Sequence, residues 1–233
     1  MVMLMTRKNS LFLLFFILVS VMAAAAVSRR VLPAFSGAKP VTIVLDAGHG
    51  APDGGAVGAL GTEEKDINLD IVLKLREILI NRGVRVILTR ESDNGIYDSS
   101  AKTIHEKKVS DMKNRLDIIN NSNADLVISI HMNSFSDSSA HGLNVFYSRN
   151  HPETEEIAAA VQDSISRLTN AKAHTVKTAS ETLYLIKGTT APMILVECGF
   201  LSNTDEEELL NTEEYRAKIA FAIANAISEN KKY

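Results

Sequence analysis

Three short runs of β-branched and aliphatic residues most constrain how this chain folds, because a polar, ionisable side chain follows each run. The runs cover residues 41–45, 126–130 and 193–196, and the side chains that follow them are His49, His131 and Glu197. Such runs are typical of buried parallel strands, whose carboxyl ends meet at one edge of a sheet and open into a ligand crevice. We therefore expect these three side chains to converge at that edge.

The segments between these runs predict further helices and strands in alternation. Apolar residues recur with helical period in residues 67–79 and 104–121, and again near the C-terminus in residues 215–227. The remaining predicted elements are strands at 84–88, 143–147 and 182–186 and a helix at 152–168. Because parallel strands need right-handed, helix-filled crossovers, the pattern predicts a single α/β domain. Its twisted, mostly parallel sheet is expected to be flanked by helices on both faces.

The N-terminus has the pattern of a targeting segment. Arg7 and Lys8 precede an uncharged apolar run at residues 11–27, which contains small residues at 23–26. We predict a signal peptide or membrane anchor at residues 1–28, a linker at 29–40 and the catalytic domain at 41–233. Cleavage and retention both remain open, because about 17 apolar residues lie at the lower limit for crossing a bilayer. Either way, the protein is expected to be exported, touching a membrane only through this segment.

Charge and cysteine content exclude some classes of function. The chain has 25 basic and 28 acidic residues without a basic stripe, which argues against binding nucleic acid. Its single cysteine, Cys198, cannot form an intrachain disulfide, so stability must come from the core. A lone thiol on an apolar strand is more often a small buried residue than a nucleophile, and we expect that of Cys198.

The ionisable residues at the strand ends suggest a metal site. Hydrolytic zinc sites commonly use three His or carboxylate ligands and leave a fourth position open for water. His49 and His131 supply two ligands, and either Glu63 or Glu64, beyond a Gly-rich loop, could supply the third. Spacing alone does not decide whether Glu197 binds the metal or acts as general base.

Each of these residues also has a simpler explanation when taken alone. A histidine beside glycine can cap a turn, and a glutamate in the first turn of a helix can simply interact with the helix dipole. Convergence of three strand ends on a nearby pair of glutamates favours the metal site over these alternatives.

Four sequence motifs resemble the zinc-dependent N-acetylmuramoyl-L-alanine amidases known as amidase type 3. The motifs lie at residues 44–50, 64–69, 129–134 and 192–203, and the resemblance extends from Val41 to about Lys231. It implies that Zn²⁺ is bound by His49, Glu64 and His131, with Glu197 as the catalytic glutamate. The implied reaction is hydrolysis, by a zinc-bound water, of the amide joining the lactyl group of muramic acid to L-alanine in peptidoglycan.

The resemblance also bears on neighbouring residues. It selects Glu64 over Glu63, because Glu64 directly precedes the motif Lys-Asp-Ile-Asn. Arg115 could orient a substrate carboxylate, although a solvated or ion-paired arginine is the simpler interpretation. Asn133 and Ser134 are expected to support the ligands or the adjacent loop. The other histidines are expected at the surface: His105, His141, His151 and His174.

We expect a minimal catalytic domain, without a wall-binding module and, in residues 133–187, without room for a long inserted helix that would block the metal. It is similar to the germination-specific amidases of spore cortex, which implies a role in forming muramic δ-lactam during sporulation. A protein without a wall-binding module could be recruited by an accessory activator protein. The alternatives are a vegetative autolysin of the same family, a zinc peptidase or deacetylase acting on the wall, and a catalytically silent wall-binding protein.

Overall fold

The computed structural model describes residues 39–179, 183–230 and 232–233. The predicted signal peptide or anchor at 1–28 and nearly all of the linker at 29–40 lie outside these residues. Where the chain is described, no helix combines the length and the apolar character needed to cross a bilayer.

The described residues contain six strands and six α-helices. The strands are β1 Thr42–Ala47, β2 Arg85–Leu88, β3 Leu126–Asn133, β4 Asn144–Tyr147, β5 Lys177–Thr178 and β6 Met193–Phe200. The helices are α1 Glu64–Asn81, α2 Ile104–Asn121, α3 Glu155–Thr169, α4 Tyr184–Gly188, α5 Thr204–Leu210 and α6 Glu213–Glu229, and a 3-10 turn at Pro152–Thr154 precedes α3. Thr103 begins α2 with a capping box, in which its side chain and that of Glu106 satisfy each other's backbone amides.

All six strands form one mixed sheet in the order β2-β1-β3-β6-β4-β5. Strands β2, β1, β3 and β6 are mutually parallel, whereas β4 pairs antiparallel with β6. The α/β class, the mostly parallel sheet and the helices on both faces are confirmed. The two-residue strand β5 was not predicted, because so short a segment has no periodicity to detect.

Alternating residues of the central strands bury opposite faces of the sheet. Ile43, Leu45, Ile128 and Ile130 belong to the larger core, which also contains residues of α1, α3 and α6. The intervening residues, including Val44 and Val127, pack in a smaller core with residues of α2 and α4. The alternation therefore divides each strand between two helical layers.

The prediction of a strand at 182–186 was wrong in its described part. Leu183 is extended, but Tyr184–Gly188 forms α4. Leu185 and Ile186 are both buried in the smaller core, which two adjacent residues achieve readily from one helical turn. Periodicity does not distinguish a short apolar run in a strand from one in a helix, and packing against α2 decided the outcome.

Candidate metal centre

The C-terminal halves of two adjacent strands bring His131 and Glu197 together. His131 lies opposite Glu197 in the register of the adjacent parallel strands β3 and β6. Both alternate in phase with Val127 and Leu195, so they belong to the sheet face that α2 and α4 cover. The third strand end, β1, leads into the turn that carries His49. The predicted convergence of these three residues is therefore present in the structure.

The turn after β1 holds His49 in the left-handed region, with φ at 62°. Few residues other than glycine adopt this conformation, so surrounding contacts must support it. Arg115 donates to the carbonyl of His49, and Arg90 donates to the carbonyl of Gly48 at 3.0 Å. Asn68 donates to the same Gly48 carbonyl at 3.1 Å. These bonds fix the backbone from which the His49 ring projects.

Glu64 lies between the two histidine rings. Its Oε2 atom is 3.2 Å from Nε2 of His49, and its Oε1 atom is 2.9 Å from Nδ1 of His131. One donor atom from each of the three residues lies within 4.8 Å of the others. A tetrahedral cation with bonds of about 2.0–2.1 Å holds its ligand atoms about 3.3 Å apart. The cluster could therefore bind a small divalent metal ion.

The carboxylate of Glu64 is buried and oriented by neighbouring amides. Its oxygens accept hydrogen bonds from the backbone amides of Met132 at 3.0 Å and Ala56 at 2.9 Å, and from Asn68 at 3.2 Å. Burial alone would raise its pKa, but the hydrogen bonds and charges of the two histidines lower it well below its usual range. Glu64 is therefore ionised at neutral pH, as a metal ligand must be.

Two glycines let the chain approach these side chains closely. A Cβ atom on Gly48 would lie 2.3 Å from Cε1 of His131. Gly55 has a φ of 73°, and a Cβ there would lie 2.6 Å from the Glu64 carboxylate. Any larger residue at either position would displace a candidate ligand side chain. The Gly-rich loop thus serves close packing around the cluster.

Asp53 orients His49 from outside the cluster, a role that sequence reasoning missed. Its carboxylate accepts a hydrogen bond from Nδ1 of His49 at 3.0 Å and forms an ion pair with Lys108 at 2.8 Å. This bond leaves Nε2 of His49 to face Glu64. Burial would lower the pKa of His49, but Glu64 and Asp53 raise it to about 9. The available signal was an acid four residues after the histidine, within the Gly-rich loop.

Glu63 does not join the cluster. Its carboxylate pairs with Lys65 at 2.9 Å, and Lys65 also contacts Asp66 and Asp93. The side chain is therefore drawn towards a surface ion network, while Glu64, the next residue, turns inward. Spacing alone left open which of the two glutamates joins the cluster. Glu64 does so because it begins α1 on the buried side of the helix.

Glu197 lies beside the cluster with one oxygen unsatisfied. Its Oε2 atom is buried and has no hydrogen-bond partner among the described residues. Burial raises the pKa of Glu197 to about 7, helped by the charge of Glu64 and opposed by the two histidines. A carboxylate with a pKa near neutrality can both accept and release a proton at physiological pH.

A buried ion network lies beneath the site. Arg115 pairs with Asp46 at 2.7 Å and with Asp111 at 2.6 Å. Ser129 and Thr89 also donate to Asp46, at 2.5 and 2.7 Å. Burial would raise the pKa of Asp46, but the charge of Arg115 and these hydrogen bonds lower it to about 2. Of the two interpretations offered for Arg115, the ion pair is the one present, and the residue is buried rather than solvated.

Cys198 and Asn133 follow Glu197 and His131 along their strands. Cys198 is buried in the larger core, as expected, and burial raises the pKa of its thiol well above the usual value. Asn133 accepts a hydrogen bond from the amide of Ser134 and, through its carbonyl, one from Leu201. Among the remaining histidines, His105 and His141 are exposed, while His151 and His174 are partly buried.

A cleft of about 220 Å³ opens beside the cluster. His49, His131 and Glu197 line it, together with residues of α2 and of the segment that includes α4. The Asp46–Arg115 pair, which is fully buried, lies among the lining residues. The arrangement can therefore place a substrate group against both the candidate metal ligands and a carboxylate suited to proton transfer.

The known proteins that this chain resembles include N-acetylmuramoyl-L-alanine amidases. Residues 43–229 match the Amidase_3 family, described as N-acetylmuramoyl-L-alanine amidase. The germination-specific N-acetylmuramoyl-L-alanine amidase of Bacillus subtilis is 38% identical over 185 residues, covering 79% of this chain and 77% of that protein.

Solved structures have the same fold. The CwlD amidase of Clostridioides difficile, solved in complex with the GerS lipoprotein, is 43% identical with a TM-score of 0.78. That match covers 81% of this chain and 97% of the other. The catalytic domain of CwlV, an N-acetylmuramoyl-L-alanine amidase from Paenibacillus polymyxa, is 31% identical with a TM-score of 0.70, covering 81% and 97%.

Proposed function

The chain belongs to the Amidase_3 family and is an N-acetylmuramoyl-L-alanine amidase acting on peptidoglycan, and we propose that it works with zinc bound by His49, Glu64 and His131. The observation that carries the proposal is the position of Glu197, whose buried, unsatisfied oxygen lies beside a cluster of three metal-ligating side chains. Two imidazoles and one carboxylate form a ligand set that zinc hydrolases use, and they leave a fourth position for water or substrate.

The chain's own residues have separate roles in this proposal. Bound zinc supplies a Lewis acid that polarises the amide carbonyl and makes water more acidic. Glu64, held by the amides of Met132 and Ala56, keeps its charge and its orientation. Asp53 fixes the tautomer of His49 by accepting the proton on Nδ1. The protein thus prepares the ligand geometry before any substrate arrives.

Glu197 is the proposed general base and then general acid. It accepts a proton from the attacking water and returns it to the nitrogen of the departing L-alanine. A pKa near 7 suits both transfers, because neither direction is strongly uphill at neutral pH. Glu197 is not required as a metal ligand in this arrangement.

We also propose where and when the enzyme acts. Similarity to the germination-specific amidase of Bacillus subtilis supports a role in spore cortex, in forming muramic δ-lactam during sporulation. The CwlD amidase of Clostridioides difficile was solved with a lipoprotein, which supports an accessory protein for this chain too. We place the enzyme outside the cytoplasm, in the cell wall or at the outer face of the membrane.

Product analysis tests the reaction. The full-length chain is incubated with peptidoglycan and with spore-cortex material, with and without zinc, and the products are identified by mass spectrometry. Release of whole stem peptides with new L-alanine amino termini, dependent on zinc and lost in Glu197→Gln, is the expected result. Glu208→Gln, which changes an exposed glutamate of α5, is the matched control and should remain active.

Other products would identify other functions. Clipped stem peptides would indicate a peptidase, and lost acetyl groups a deacetylase. Binding of substrate without turnover, even with an accessory protein present, would indicate a wall-binding role. Stronger activity on vegetative wall than on cortex would favour the autolysin alternative within the same family.

A further inference from the structure

The cleft beside the metal ligands has a closed floor. Asp46, Ser129 and Arg115 line it and are all buried, so its inner end is sealed by the sheet and α2. A continuous polysaccharide strand cannot pass through such a space, whereas a short side branch can enter it. In peptidoglycan the glycan is the continuous strand and the stem peptide is the branch.

The rim and walls of the cleft are suited to a peptide. Ile104 and Tyr184 both line the cleft and are 60% and 49% exposed. Deeper apolar lining comes from Met112, Leu185 and Leu195. Exposed apolar side chains at the mouth of a concave site with a few polar groups are typical of ligand binding.

Among the residues that the structure describes, the charges of the cleft leave one cation without an acidic partner. Asp46 and Asp111 are paired with Arg115, and Asp53 is paired with Lys108. Lys107, one residue earlier on α2, forms no ion pair within residues 39–179, 183–230 and 232–233. Its ammonium group instead lies 4.8 Å from the centre of the Tyr97 ring, which also lines the cleft. With no described acid beside it, this cation can receive an anionic group.

The two parts of the substrate differ in charge. The sugars of the glycan carry hydroxyl and acetamido groups, and the lactyl carboxyl is consumed in the amide that is cleaved. Free carboxylates belong to the stem peptide, which has an acidic residue directly after L-alanine. Resting on the proposed function, we propose that this cleft binds the stem peptide and that Lys107 binds the carboxylate of its acidic residue.

Paired substrates test this inference in the full-length, zinc-loaded chain. One soluble muropeptide has a free α-carboxylate on the second residue of its stem, and the other has a carboxamide there. Wild-type kcat/KM should be about five- to tenfold higher for the free acid, as for a partly exposed charged hydrogen bond. The preference should decrease as ionic strength rises.

Substitution of Lys107 tests whether this residue causes the preference for the free acid over the carboxamide. Lys107→Met should raise KM for the acid about five- to tenfold, leave kcat nearly unchanged and leave the carboxamide substrate unaffected, because the contact is uniform binding away from the reacting atoms. Lys107→Arg should restore most of the preference. Lys113→Met, on the same helix but outside the cleft lining, is the control and should match wild type.

The possible failures are distinguishable. Equal wild-type activity on acid and carboxamide, or equal loss on both in Lys107→Met, would overturn the role of Lys107. A preference that Lys113→Met also abolishes would do the same. If the wild-type chain released no stem peptide from either substrate, even with an accessory protein present, the proposed function itself would be wrong, and the inference with it.

Discussion

His131 and Glu197 lie directly opposite each other on adjacent parallel strands, so the register of β3 and β6 sets the distance between a candidate metal ligand and a candidate base. Both strands are buried over most of their length, which prevents the register from slipping. The relation between the two groups is therefore a property of the sheet rather than of a mobile loop.

Glu197→Gln should retain the metal and lose turnover. Glutamine preserves the size of the side chain but cannot accept the proton, so activity should fall about 10²- to 10⁴-fold. Zinc content, measured by atomic absorption on the purified chain, should remain near that of wild type. Loss of zinc from the variant would instead make Glu197 a ligand.

His131→Ala should lose both zinc and activity. The change removes one of three ligands and leaves Glu64 without the partner at 2.9 Å from its Oε1 atom. Zinc affinity, measured by competition with a chromophoric chelator, should fall far more than in any variant outside the cluster. The matched control is His105→Ala, at an exposed position of α2. A variant lacking His131 that still bound zinc tightly would argue against this ligand set.

Asp53→Asn should weaken zinc binding without abolishing it. The amide oxygen can still accept from Nδ1 of His49, but the negative charge that makes the ring a better ligand is lost. Outer partners of this kind typically change metal affinity about 10- to 100-fold, and we expect the lower end. The same chelator competition measures the effect, with Asp137→Asn in an exposed loop as control. Unchanged affinity would show that Asp53 does not support His49.

Asp46 should make the fold sensitive to acid. Its pKa is about 2 in the folded protein and about 3.9 in an unfolded chain, so the folded state holds the charged form more strongly. The resulting stability, roughly 2 to 3 kcal/mol, is present above pH ~4 and is lost as the pH falls through about 2.

Urea unfolding at pH 7 and at low pH measures this contribution. Asp46→Asn should lower the free energy of unfolding at pH 7 by about 3–5 kcal/mol, because Arg115 keeps a buried charge and, among the described residues, retains Asp111 as its one ion-pair partner. The variant should also lose less stability than wild type between pH 4 and 2, because asparagine has no carboxylate to become protonated. An identical pH dependence in both proteins would contradict the assignment to Asp46.

The sequence by itself determined the class of fold and the residues that converge. Alternation of β-branched runs with helical segments predicts parallel strands, and parallel strands must present their carboxyl ends at one edge. The convergence of His49, His131 and Glu197 therefore followed from local pattern alone. The motifs then identified the family, because their residues are ordered along the chain and need no coordinates to be read.

Only the tertiary structure decided the contacts between distant segments. Asp53 and Lys108 are 55 positions apart, and no periodicity connects them, yet their ion pair lies behind His49. The burial of Arg115 depends on Asp46 and Asp111 enclosing it from β1 and from its own helix. Likewise, the helix at Tyr184–Gly188 replaced a predicted strand because packing against α2 outweighs local propensity in so short a segment. The pattern of residues along a chain indicates which side of a helix or strand faces the core. The contact partners of each residue depend on how the helices and strands pack together.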